Sequence, residues 1–237
     1  MVDVSVVLPT FNERESIALL SPRLTGALAP YASEVLVVDD ASPDGTADAV
    51  EALRPPGLYR VLRRPGRLGL ASAVLEGVAR ARGRAVVVMD ADGSHPPEAV
   101  PALVGPVLDG RYQFVLASRN VPGAYAPGLT GSRRVISLAA SLLARPLTHV
   151  RDPMSGFFAF DRSVVEGHAL RPVGYKIALE ILVRCRPSPV LEVPYHFAPR
   201  LAGESKLNGA EMRGYLRHLS RLYGWRLATF GRASRTR

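Results

Sequence analysis

Runs of apolar residues alternate with amphipathic stretches through the first 120 residues of this 237-residue chain. The apolar runs "VSVVLP" (4–9), "EVLVVD" (34–39), "LYRVLR" (58–63), "AVVVMD" (85–90) and "FVLAS" (114–118) predict buried β-strands. Between them, the spacing predicts helices over about 13–29, 45–53, 69–82 and 96–109. In "GLASAVLEGVARARG", Ala71, Val74, Leu75, Val78 and Ala79 share one helical face and Gly83 ends the pattern. Strands alternating with helices of this length imply βαβ units and an α/β fold with a mostly parallel sheet flanked by helices.

Past residue 120 the pattern loosens into the loop "NVPGAYAPGLTG". An apolar helix follows at about 132–147, then "DPMSGFFAF" and a helix "GYKIALEILVRC". No repeat or clear linker interrupts the chain. We therefore expect one domain over 1–209 and a basic C-terminal extension over 210–237. In that extension "EMRGYLRHLSRLYG" places Met212, Tyr215, Leu216, Leu219, Leu222 and Tyr223 on one arc, with Arg213, Arg217 and Arg221 opposite. Such an amphipathic helix can lie on an anionic membrane surface or pack against its own domain.

Charge sharpens the second half. The formal net charge is +9, which points to anionic partners. From residue 207 onward there are seven arginines and one acid, Glu211, so the basicity is concentrated in the tail. A nucleic-acid-binding module is disfavoured, because basic and aromatic residues do not interleave on the strands. The single cysteine, Cys185, forms no internal disulfide and fits a reducing compartment. The start "MVDVSVVLPTF" reads as a first strand, not a signal peptide, and no run approaches the roughly 18 apolar residues of a spanning helix. A cytoplasmic protein, peripheral on the cytoplasmic membrane face, is the expectation, with a separate membrane-anchor protein as a possible partner.

In open parallel sheets, ligands bind at the carboxyl ends of the strands. Here those ends carry Pro9-Thr10-Phe11-Asn12-Glu13, Asp39-Asp40, Asp90-Ala91-Asp92 and Ser118-Arg119. Side chains at i and i+2 of an extended segment point the same way, so Asp90 and Asp92 can present hard oxygen donors to Mg²⁺ or Mn²⁺. Asp44 and Thr46 read as a turn and helix cap, leaving one of Asp39 and Asp40 to meet a nucleobase or ribose. "DADGS" also resembles the nucleophile motif of haloacid-dehalogenase-type phosphohydrolases. In that family it ends the first strand, whereas here it ends about the fourth, with an acid pair before it instead of after. No glycine fingerprint of a dinucleotide-binding oxidoreductase follows the first strand.

Taken in order, "VVLPTFNERESI", "VVDDASPDGT", "RLGLASAVLEGVARARG", "VVVMDADGSHPPE", "ASRNVPG", "DPMSGFFAF", "GYKIALEILVRC" and "EVPYHFAPRLAGESKL" resemble the inverting GT-A glycosyltransferases of family 2. Within these the chain is most similar to the dolichol-phosphate (polyprenol-phosphate) mannose synthases, over roughly residues 3–210. The resemblance implies a GT-A (Rossmann-like) fold. It further implies inverting transfer of mannose from GDP-mannose to a polyprenyl phosphate, with UDP-glucose or another sugar nucleotide as the alternative donor. By the same resemblance Pro9, Thr10, Asn12, Glu13 and Asp39 or Asp40 hold the nucleotide. Asp90 and Asp92 bind the cation, with Ser94 where many relatives carry Gln. Arg119, Arg133 or Arg134, Arg200 and Lys206 match basic positions around the diphosphate and acceptor phosphate. Gly203 and Ser205 suggest a loop closing over the donor, and Ser155 is either near the acceptor or a turn residue. The apolar helix at 135–144, flanked by Arg133, Arg134 and Arg145, is a second candidate for gripping lipid.

Overall fold

The computed structural model describes residues 1–53, 55–127, 131–171, 173, 174, 176–199 and 209–233. Strands β1 (Val4–Thr10), β2 (Ser33–Asp39), β3 (Tyr59–Arg63), β4 (Ala85–Val88), β5 (Phe114–Ser118), β6 (Phe158–Asp161) and β7 (Val190–Pro194) form one sheet in the order β3-β2-β1-β4-β6-β5-β7. Only β6 runs antiparallel to its neighbours β4 and β5. The helices are α1 (Arg14–Leu28), α2 (Thr46–Glu51), α3 (Leu70–Arg80), α4 (Val100–Leu108), α5 (Gly131–Ala144), α6 (Ile177–Arg184) and α7 (Gly209–Ala233).

The central strands are apolar on both faces because helices cover both. Val4, Val6 and Leu8 of β1 pack with Ile17, Leu20 and Leu24 of α1 and Leu103, Val104 and Val107 of α4. On the other face Val7, Leu36, Val38, Val86 and Val88 meet Ala71, Val74 and Val78 of α3 and Ile177, Ala178 and Ile181 of α6. Burying each such Val, Leu or Ile contributes about 1.5–3 kcal/mol, so this alternation sets the strand register. The buried face of α3 differs from the sequence expectation: Ala73 and Gly77 are buried with Ala71, Val74 and Val78, while Leu75 is half-buried and Ala79 exposed. Gly77 is the reason. A Cβ there would stand 2.4 Å from Val7 Cγ1, so glycine lets α3 sit closer to β1 and turns the helix toward that side.

The C-terminal helix resolves the two readings of its apolar arc. Tyr215, Leu219 and Leu222 are buried against Ala140 and Ala144 of α5 and Leu179 and Val183 of α6. The Tyr215 hydroxyl donates to the Ala140 carbonyl at 2.6 Å, and His218 Nε2 lies 2.7 Å from Glu180 Oε2 in the interior. Tyr215, Leu219 and Leu222 of that arc are therefore a packing face of the protein, while Leu216 stays exposed. Val135, Leu138, Leu142 and Leu143 of α5 remain exposed instead. Among the described residues no helix is long and apolar enough to cross a membrane.

The chain runs from β1 outward through β2 and β3, then returns to β4 on the other side of β1. The reversal opens a crevice between the carboxyl ends of β1 and β4, where open α/β sheets take ligands. Because β6 is antiparallel, its entry lies on that same rim, and Val88 pairs with Phe158. The segment before β6 is fastened by Asp152, which is fully buried. Asp152 accepts from the Arg119 backbone N–H at 2.9 Å and from its Nε and Nη2 at 2.8 Å each. Glu192 of β7 in turn accepts the backbone N–H groups of Arg151 and Asp152 at 2.8 and 3.1 Å.

Burial alone would raise the Asp152 carboxyl, but hydrogen bonds and charge from Arg119 hold it below the usual carboxylate range. A depressed pKa contributes stability that is present above the ordinary carboxylate value and is lost as pH falls through the lowered one. Asp152→Asn leaves the Arg119 cation buried without its counter-ion, so urea unfolding at neutral pH should show a loss of about 3 kcal/mol. The difference from the native protein should shrink as pH is lowered through the acid range. A loss that does not change with pH would contradict the ion-pair account.

Candidate active site

The crevice is walled on one side by the first two strand ends. Thr10 Oγ1 donates to Asp39 Oδ1 at 3.2 Å. Asp39 also accepts from the Ser42 hydroxyl at 2.6 Å and its backbone N–H at 3.0 Å, and Ser42 Oγ accepts the Asn12 N–H at 2.9 Å. Asn12 and Ala41 both adopt positive φ, 61° and 60°, which folds the two loops over one another. Glu13 donates its N–H to Thr46 Oγ1 at 3.0 Å, ahead of α1. Asp44 accepts from the Thr46 hydroxyl at 2.6 Å, its N–H at 2.9 Å and the Arg14 N–H at 3.1 Å, which is the turn and cap role expected for it.

Both members of the Asp39–Asp40 pair have protein partners in the structure. Asp40 binds Arg64 Nη1 at 2.6 Å and the backbone N–H groups of Leu68 and Gly69 at 3.0 and 2.7 Å, all in the interior. Asp40 thereby ties down the loop after β3, and Asp39 holds Ser42 at the end of β2. Pro9 is half-buried in β1 just before this point. Above the wall the Arg67 guanidinium sits 4.1 Å from the centre of the Phe11 ring, a cation that the sequence pattern did not single out.

β4 ends at Val88, so Asp90 and Asp92 lie beyond the strand, with Asp92 in a bend and not on the extended segment expected for the pair. The Asp90 side chain is 36% exposed, whereas Asp92 is 5% exposed. Ser94 donates to Asp92 Oδ1 through its backbone N–H at 3.0 Å and its hydroxyl at 2.6 Å. Its hydroxyl hydrogen is thereby committed to Asp92, which makes Ser94 an orienting group for that carboxylate. The donor set is hard oxygen, and among the described residues no cluster of three or more His, Cys, Asp or Glu forms a cage. Two carboxylates with one open to solvent suit a divalent cation that completes its shell with water and phosphate oxygens.

The facing wall is the segment before β6. Gly156 lies against Asp90: a Cβ added there would be 3.6 Å from Asp90 Oδ2 and 3.4 Å from His95 Cε1. Ser155 is 2% exposed and accepts the Phe157 N–H at 3.2 Å, which is the turn role. Lys176, just before α6, donates to the Met154 carbonyl at 2.7 Å and brings a cation to this wall; the sequence reading quoted its helix without assigning it. Arg119 directs its Nε and Nη2 at Asp152, with its side chain 12% exposed. It holds the wall in place. Arg200 and Lys206, with Gly203 and Ser205, lie outside the described residues, as do the side chains of Arg133 and Arg134 on α5.

His95 sits between the two walls, 2% exposed and stacked on Phe157 with ring centres 5.0 Å apart. Burial pushes its pKa down against the opposing pull of Asp90 and Asp92, while Arg119 and Lys176 add to the lowering. One neutral imidazole therefore feels all four charges of the site.

Residues 5–168 match glycosyl transferase family 2. The chain is 42% identical over 226 residues to a dolichol-phosphate mannosyltransferase of Pyrococcus furiosus, covering 94% of this chain and 64% of that relative. It is 40% identical over 242 residues to a dolichol-phosphate mannosyltransferase of Mycosarcoma maydis, covering 95% of this chain and 80% of the relative. Among solved structures it is similar to glucosyl-3-phosphoglycerate synthase of Mycobacterium tuberculosis in complex with Mn²⁺, uridine diphosphate and glucosyl-3-phosphoglycerate. That likeness has a TM-score of 0.70 and 26% identity, over 94% of this chain and 80% of that one. The chain spans about two thirds of the length of the Pyrococcus relative, and by the match over residues 5–168 it belongs to glycosyl transferase family 2.

Proposed function

We propose that the protein transfers mannose from GDP-mannose to a polyprenyl phosphate of the dolichyl type, with inversion at the anomeric carbon. The observation that carries the reading is the apposition of Asp90 and Gly156 across the crevice, which sets a cation-binding carboxylate directly against the wall opposite the nucleotide. The names of the curated relatives support mannose and a polyprenyl phosphate; guanine as the base rests on the sequence resemblance. The uridine diphosphate in the similar synthase structure keeps UDP-glucose as the second donor to test.

In this reading Thr10, Asn12, Glu13 and the Asp39–Ser42 loop receive the nucleoside, and Asp90 and Asp92 hold Mg²⁺ or Mn²⁺ against its diphosphate. The cation supplies charge neutralisation of the leaving nucleoside diphosphate. A phosphate acceptor is anionic at neutral pH, so its oxygen attacks without a general base, and the protein contributes alignment and charge. Lys176 adds positive charge to the acceptor wall, and Arg133, Arg134, Arg200 and Lys206 are the further cations the resemblance assigns to the two phosphates. Buried Ser94 and His95 keep water from the back of the acidic pair. The exposed apolar side chains of α5 are the surface by which the protein would meet the membrane that holds its acceptor.

Purified protein with Mg²⁺ or Mn²⁺, a polyprenyl phosphate and a panel of sugar nucleotides should form polyprenyl phosphate mannose from GDP-mannose, and Asp92→Ala should lower the rate by about 10²–10³-fold. No lipid-linked sugar from any donor would remove the reading. Ser94→Ala should raise the metal concentration needed for half-maximal rate by about 10–100-fold, as loss of an orienting partner does, while the rate at saturating metal recovers. A fall in maximal rate with unchanged metal dependence would place Ser94 elsewhere in the mechanism.

A further inference from the structure

His95 meets Asp90 twice. Its Nδ1 accepts the Asp90 backbone N–H at 2.9 Å, so in the neutral ring the hydrogen sits on Nε2. That Nε2 lies 3.9 Å from Asp90 Oδ2, too far for a hydrogen bond but near enough for the N–H dipole to attract the carboxylate. The ring has little freedom to leave this position. It stacks at 15° on Phe157, meets the edges of Tyr195 and Phe197 at 6.0 and 6.3 Å, and has the Cα face of Gly156 against Cε1. The segment carrying it is also tied down, since the Ala198 N–H donates to the Ser94 carbonyl at 3.2 Å.

We propose that His95 is a positioning residue for the cation: it grips both the backbone and the carboxylate side of Asp90, and so transmits the placement of the Gly156–Phe157 wall to the metal-binding pair. The proposal rests on the reading that Asp90 and Asp92 bind a divalent ion. Its physical basis is that a metal-binding carboxylate a third exposed is oriented by the groups around it, and a fixed dipole beside one of its oxygens favours the rotamer that the metal selects. The aromatic cage explains why an imidazole stands there. A histidine ring fills the stacking slot against Phe157 and still offers an acceptor on one edge and a donor on the other.

The test is Mn²⁺ binding in the presence of saturating GDP, and in parallel UDP, read from the electron paramagnetic resonance signal of free Mn²⁺ so that turnover is not involved. His95→Phe keeps the ring and removes both contacts. It should weaken Mn²⁺ binding about 10–100-fold while metal-free nucleotide binding stays within about twofold. His95→Asn, whose amide oxygen can take the place of Nδ1, should recover most of that loss, and His95→Gln, whose polar group lies one bond further out, should recover less. Should Phe at position 95 prevent folding, the Asn and Gln variants carry the comparison, with cooperative thermal unfolding as the check on each. Native protein that binds no Mn²⁺ overturns the metal reading and the proposal together. Native binding with variants equally tight, or Asn weakened as much as Phe, overturns the positioning role alone.

Discussion

The buried Arg119–Asp152 pair is the constraint on which the site depends. Asp152 has no exposed surface, and three donors of one residue converge on it. Because Arg119 follows directly on β5 and Asp152 opens the segment before β6, the pair sets where that segment can run. Breaking one partner would strand a charge in the interior, a larger cost than the pair's own net contribution. The same contact fixes the orientation of Arg119, a cation on the rim of the sheet.

What the fastening achieves follows from topology. A fully parallel sheet would bring every loop at this rim from the end of a strand. Antiparallel β6 instead arrives with its first residue beside the last residue of β4, Phe158 against Val88. Residues a step or two beyond Val88 and before Phe158 must then face each other, and these are Asp90 and Gly156. The two come within contact distance, since a Cβ at Gly156 would meet His95 Cε1 at 3.4 Å and Asp90 Oδ2 at 3.6 Å. One reversal of strand direction thus converts two distant sequence motifs into opposite walls of a single crevice.

Much of this was legible in the sequence, for a physical reason. Buried parallel strands covered by helices on both faces read as unbroken apolar runs, so β1 to β5 and the rim residues at their ends stood out. The strands β6 and β7 did not, because they fall past residue 120, where the regular alternation of strand and helix patterns loosens. Site roles were harder than positions. The protein partners of rim residues are not visible in the sequence pattern: Asp40 and Arg119 pair with Arg64 and Asp152, 24 and 33 residues away. His95 escaped notice because its function comes from the Phe157, Tyr195 and Phe197 rings around it, none of them near in sequence. The arc of α7 was visible, but whether lipid or protein covers it depended on the apolar faces of α5 and α6.

In the proposed reading one wall of the crevice takes a nucleoside, the other an acceptor, and the acidic pair lies between them, an arrangement suited to a single displacement in which the acceptor phosphate attacks from the side opposite the leaving diphosphate. No side chain has been assigned a covalent role, so the stereochemistry of the product reports on the whole arrangement at once. The direct measurement is the anomeric configuration of the polyprenyl phosphate mannose formed from GDP-α-mannose, read from the one-bond carbon–hydrogen coupling of the anomeric centre by NMR. The account predicts the β-anomer, the outcome of one in-line displacement. An α-linked product would require retention and would contradict it.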